Sequence, residues 1–117
     1  MANALGMIEV YGYTTSIVVA DTVAKTADVK VVAIDKNKPA NADKVEVPLV
    51  MVVKFEGSPA AVEAAHDAGV AEAESRGFYI TSRVIAGFSP EAEWFAHLTA
   101  TGRDKLRNYT TVDGKKV

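Results

Sequence analysis

The residues with chemical capacity in this chain are two histidines, His66 and His97, a set of scattered carboxylates, and no cysteine. His66 lies at helical spacing from Glu63 and Asp67, a group that could touch a cation. The same residues with Glu74 also make the solvent stripe of a helix, which is the plainer reading. His97 is distant in sequence, and no thiol exists to complete a metal set or act as a nucleophile. Gly57-Ser58-Pro59 offers backbone N–H groups at a helix start, where an anion could sit, but an ordinary N-cap explains the same residues. Glu9 and Asp21 have no partner base that sequence identifies. The expectation is therefore no enzyme, no catalytic residue, no metal site and no cofactor. Phe88, Trp94 and Phe95 form an aromatic cluster, read as a short terminal helix closing on the domain rather than as a partner site.

The elements that position these residues follow from periodicity and punctuation. Ala4 to Tyr13 reads as a strand. Thr14 or Thr15 can cap the next helix, whose apolar positions are Ile17, Val18, Ala20, Val23 and Ala24. Within it Asp21 and Lys25 form an i, i+4 pair. A second strand spans Val29 to Ile34, and the polar run DKNKPANADK from Asp35 to Lys44 is a loop. Val45 to Glu56 is a third strand, with regular pairing beginning after Pro48, which has no N–H to donate. A long helix runs from the Ser58 cap to the Gly77 stop, with Arg76 in its last turn. It is rich in Ala, so it can lie close to a sheet or another subunit. Phe78 to Ile85 is the fourth strand. Ser89-Pro90 opens a short helix with Trp94, Phe95 and Leu98 on its apolar side, and Tyr109 is the expected anchor of a polar tail.

This order predicts an α+β fold, two βαβ halves sharing one sheet in ferredoxin-like βαββαβ fashion, followed by a small helix. The division expected is a domain over residues 1–98, with a core of about 4–86, and a polar extension over 99–117. A length of 117 residues fits one domain. The hydrophobic share of 49% excludes a disordered chain. No apolar run approaches the roughly 18 residues of a membrane helix. The opening MANALGMIEV lacks the basic and apolar regions of a secretory signal. A net charge of -2 with mixed signs leaves no footprint for nucleic acid.

Two stretches carry a family resemblance. Ala60-Ala61-Val62-Glu63-Ala64-Ala65-His66-Asp67-Ala68-Gly69-Val70-Ala71, after Gly57, resembles the helix A-A-V-x-A-A-x-D-A-G-x-A-A of bacterial microcompartment shell (BMC) domains. Ala4 to Val32 resembles that family's A-L-G-x-I-E-x-x-G strand and a helix ending D-x-x-x-K-x-A-x-V. Together the likeness covers about residues 4–86, in the order of the single-domain, hexamer-forming type.

The resemblance implies a structural shell protein located in a bacterial microcompartment. Its partners would be its own copies in a cyclic hexamer, other shell proteins, and enclosed enzymes, with neither nucleic acid nor membrane involved. Lys25 falls on the family's edge lysine, at the border between hexamers. The turn lining the six-fold axis maps to Lys44, Val45, Glu46, Val47 and Pro48, with the added residues from Lys36 to Asp43 rising as a collar. Ala86-Gly87-Phe88-Ser89 stands where the family often carries a P-R-P type motif, which implies a specialised shell component. A rival reading from the residues is a trimeric ferredoxin-like regulator binding a small ligand in its subunit clefts.

Overall fold

The computed structural model describes residues 3–37, 49–99, 111–112 and 115–116. The segments that the chain pattern marks as strands and helices form β1 (Ala4–Tyr11), α1 (Tyr13–Thr26), β2 (Val29–Asn37), β3 (Val50–Gly57), α2 (Pro59–Ser75) and β4 (Tyr79–Ile85). A 3-10 turn (Pro90–Ala92) leads into α3 (Glu93–His97), and a two-residue ladder joins β5 (Thr111–Val112) to β6 (Lys115–Lys116). The main sheet has the order β2-β3-β1-β4 with every neighbour antiparallel. The two βαβ halves therefore interleave, each placing its first strand at the centre, which is the α+β, ferredoxin-like arrangement expected.

Strand alternation divides the core in two. Ala4, Ile8 and Val10 of β1 and Met51, Val53 and Phe55 of β3 point to one face, where they meet Val19 and Val23 of α1 and Val62, Ala65 and Ala73 of α2. Leu5 of β1 points to the other face and is covered by Phe88 and Ala96, with Met7, Val32, Ile85 and Ala92 around it. The segment 86–99 thus forms a strap across the face opposite α1 and α2, held at its start by the Phe88 N–H donating to Asn3 O at 2.9 Å.

Both outer strands carry a bulge. In β2, Val31 pairs with Phe55 and Ala33 with Lys54, leaving Val32 unopposed. In the pairing of β1 with β4, Glu9 faces Thr81 and Val10 faces Tyr79, leaving Ile80 unopposed.

Several expectations need correction. Helix α1 is not capped by Thr14 or Thr15. Its N-cap is Gly12, at φ 90, with no side-chain cap, and the Ser16 hydroxyl donates to Tyr13 O instead. The buried side of α1 is Thr15, Ser16, Val19 and Val23, while Ile17 and Ala24 are exposed, so the apolar stripe is rotated from the one read. Strand β2 runs on through Asp35 to Asn37, where a loop was expected, because Asp35 has a buried partner across the sheet. The described part of the third strand begins at Val50, and Val45 to Pro48 lie outside the described residues. Helix α2 begins and stops as read, with Ser58 Oγ accepting from Ala61 N–H at 3.2 Å and Gly77 turning at φ 76, but Arg76 is its C-cap and lies past the last turn where it was expected.

At Gly6 the Phe55 ring lies over the backbone of β1, so that a Cβ there would stand 2.3 Å from the ring. Phe55 is fully buried and has nowhere to retreat. Gly6→Ala is expected to destabilise the fold by about 1–3 kcal/mol. Urea unfolding should show a lower midpoint at unchanged slope, and an unchanged midpoint would mean that the ring can be displaced at no cost.

Candidate functional site

Because alternate residues of β3 face the strap, Val50, Val52, Lys54 and Glu56 line that side. Lys54 is 1% exposed. Its ammonium donates to Phe95 O at 2.8 Å and Leu98 O at 3.1 Å, two carbonyls at the C-terminal end of α3, the first of which also accepts from the Leu98 N–H at 3.2 Å. It also lies 3.7 Å from Asp35 Oδ2 and 4.1 Å from the centre of the Phe95 ring. Asp35 Oδ1 in turn accepts from the Lys36 N–H at 2.9 Å. One buried cation therefore joins β3, β2 and α3. Nothing in the strand pattern VMVVKFE distinguishes this lysine from an exposed one.

Next to it the sheet forms a concavity of about 360 Å³, open between Met7, Glu9, Thr81, Arg83 and Phe95. On the other face, His66 Nε2 meets Ser82 Oγ at 2.7 Å and Nδ1 meets Asp67 Oδ1 at 3.0 Å. These residue types suit acyl transfer, but Ser82 Oγ also meets Tyr79 Oη at 2.9 Å. The serine hydroxyl is held from two sides, and the chain of contacts braces α2 on β4. The expected solvent stripe is corrected here: His66 is mostly enclosed, whereas Glu63, Asp67 and Glu74 are exposed.

The strap also departs from its reading. Trp94 was expected to close on the domain, yet it is 68% exposed and meets Phe95 edge to face at 6.2 Å. Ala96, Ala92 and Phe88 make the apolar contact instead. Beside the strap, Glu56, Glu93 and His97 converge, a grouping that sequence reasoning missed, although Glu93 and His97 are an i, i+4 pair. Burial holds the Glu56 carboxyl above its ordinary value. The neighbouring Glu93 acts in the same direction, through a hydrogen bond when one of the two is protonated and through like charge, while His97 and Lys30 pull it down.

Lys25 stands in the last turn of α1, largely exposed, with its ammonium 2.7 Å from Asp21 Oδ2. Lys44, Val45, Glu46, Val47 and Pro48 lie outside the described residues, as does Tyr109. The chain is described up to Asn37 and again from Leu49: Asn37 pairs with Val50, and Leu49 O accepts from Gly12 N–H at 2.8 Å. At this same end of the sheet Phe78 O accepts from Tyr11 N–H. Tyr13, Ile17, Leu49 and Phe78 are large apolar side chains exposed there or on the adjoining turns of α1.

The topology and the strap define a ferredoxin-like α+β domain with helices on one face and a short cation-anchored cover on the other. Residues 4–87 match the BMC domain, and the chain belongs to that family. It is 33% identical over 86 residues to the bacterial microcompartment shell protein PduK of Citrobacter freundii, covering 74% of this chain and 50% of PduK. It is 34% identical over 94 residues to the shell protein EutK of Salmonella typhimurium, covering 80% of this chain and 52% of EutK. Among solved structures it resembles a microcompartment protein from Desulfitobacterium hafniense, with a TM-score of 0.65 and 31% identity over 80% of this chain and 48% of that one. The chain spans about half the length of these relatives.

Replacing Lys54 tests the weight of the buried cation. Lys54→Met leaves Asp35 buried beside an apolar chain and should cost about 3–5 kcal/mol. Replacing both, Lys54→Met with Asp35→Leu, should recover most of the loss in denaturant unfolding. Equal losses in the single and double variants would show that the carbonyls of the strap, not Asp35, set the cost.

Proposed function

We propose that this chain is a structural shell protein of a bacterial microcompartment, resident in that shell, whose copies close into cyclic hexamers around a central pore for small metabolites. Membership of the BMC domain family over residues 4–87 carries the reading, supported by two relatives whose names are those of shell proteins. The exposed apolar group Tyr13, Ile17, Leu49 and Phe78 supports it too. It flanks the connection between β2 and β3, and a ring of copies would cover it. In this reading Lys44, Val45, Glu46, Val47 and Pro48 line the opening, and each charge there is repeated around the ring. Lys25 borders the neighbouring hexamer, other shell proteins are the lateral partners, and the role is one of assembly rather than catalysis.

Native mass spectrometry at micromolar concentration should give a closed ring of about six subunits. Phe78→Asp should yield folded, smaller species because it charges a patch that assembly buries. A monomeric parent chain would remove the proposal, and a trimer would favour the regulator reading.

Lys25→Glu should leave the ring intact and abolish extended sheets in negative-stain electron microscopy. Sheets that persist would return Lys25 to an ordinary exposed partner of Asp21.

A further inference from the structure

Glu56 ends the row of β3 side chains that faces the strap, and it meets α3 where Glu93 and His97 project from the same side of one turn. His97 Nε2 lies 3.1 Å from Glu93 Oε1 and 4.0 Å from Glu56 Oε1. One donor atom from each of the three residues fits within 4.8 Å of the others. Donors about 2.0–2.2 Å from a shared tetrahedral ion stand roughly 3.3–3.5 Å apart, so modest side-chain rotation closes the set. Glu93 and His97 are about half exposed and free to make that adjustment.

A second observation points to a ligand. The Glu56 side chain is only 11% exposed, and with both it and Glu93 ionised its enclosed Oε2 has no hydrogen-bond donor among the described residues. Such an oxygen is costly to bury unless something satisfies it. Lys30 lies directly across the ladder from Glu56, yet no ion pair within 4.0 Å joins them among the described residues. Two carboxylates and an imidazole sum to two negative charges when the ring is neutral, which matches a divalent cation. The nitrogen donor favours a borderline ion such as zinc over magnesium or calcium.

We propose that Glu56, Glu93 and His97 form a binding site for a divalent transition-metal ion, best matched by zinc, that clips α3 to the end of β3. Three protein donors leave a fourth position facing solvent, the arrangement of an accessible rather than a closed site. Because α3 also supplies the carbonyls that hold Lys54, the ion would fix the strap at a second point. The site is independent of assembly and stands or falls apart from the shell reading.

The test uses the full chain, stripped with a chelator and titrated with zinc chloride by isothermal calorimetry. One equivalent per chain is expected, with magnesium failing to compete. Glu56→Gln, Glu93→Gln and His97→Ala should each weaken binding at least about tenfold. His66→Ala, at the chain's other histidine, should bind as the parent does. Trp94, the chain's sole tryptophan, lies between two of the donors, so cobalt(II) should quench its fluorescence in the parent and not in His97→Ala. If Glu56→Gln unfolds, the two exposed donors still decide the matter. Absence of saturable zinc binding, unchanged binding in His97→Ala, or equal loss in His66→Ala overturns the proposal.

Discussion

A lysine ammonium buried against a β-sheet must be solvated by protein, and the arrangement around Lys54 is the consequence. Removing a charge from water costs several kcal/mol unless oxygens replace the water. Here two backbone carbonyls and a carboxylate do so, with an aromatic ring alongside. Those carbonyls belong to Phe95 and Leu98, so the strap must cross the sheet at this point. Asp35 must stay in a strand to reach the same cation, which extends β2 past the residue where its apolar pattern ends. The apolar contacts of Phe88 and Ala96 on Leu5 contribute further, but they do not select a position along the sheet. The ion does.

The two faces of the sheet thus follow different physics. Under α1 and α2 the contacts are apolar and close: a Cβ on Gly69 would lie 2.6 Å from Ile8 Cδ1 and 2.8 Å from Val23 Cγ2. Small side chains in α2 bring helix, helix and strand together, and shape decides the fit. Under the strap a smaller apolar group around Leu5 sits beside polar, directional contacts, and part of the sheet stays open as a concavity. On this second face fewer apolar contacts oppose local opening.

Much of the fold was legible because its signals are local. Ser58, Pro59 and Gly77 delimit α2 by their own chemistry, and the strand-helix alternation of the two halves sets the topology. What escaped was long-range. Asp35 reads as a loop residue until Lys54 stands across from it. Lys54 reads as one polar residue in an apolar strand. Ser16 and Thr15 face inward on α1 because the Ser16 hydroxyl is satisfied by a carbonyl three residues back, which frees an otherwise polar position for burial. His66 reads as solvent-facing until Ser82 and Tyr79 are brought to it by β4. Of the site residues, Lys25 could be assigned an exposed position from its helical spacing, but the border it is proposed to make belongs to an assembly and not to a chain.

The paired irregularities of the outer strands bear on how copies of this domain can meet. A β-sheet grows most readily by accepting another strand along a straight free edge, which needs an unbroken row of N–H and C=O groups in one plane. Val32 on one side and Ile80 on the other each interrupt that row and twist the strand locally. The sheet is thereby poorly suited to lengthening in its own hydrogen-bonding direction at either margin. In the assembly proposed above, contacts between copies would fall instead to strand ends and helix surfaces, where side chains rather than main-chain ladders set the geometry. Such contacts fix an angle between neighbours, and an angle is what distinguishes a closed ring from an endless ribbon.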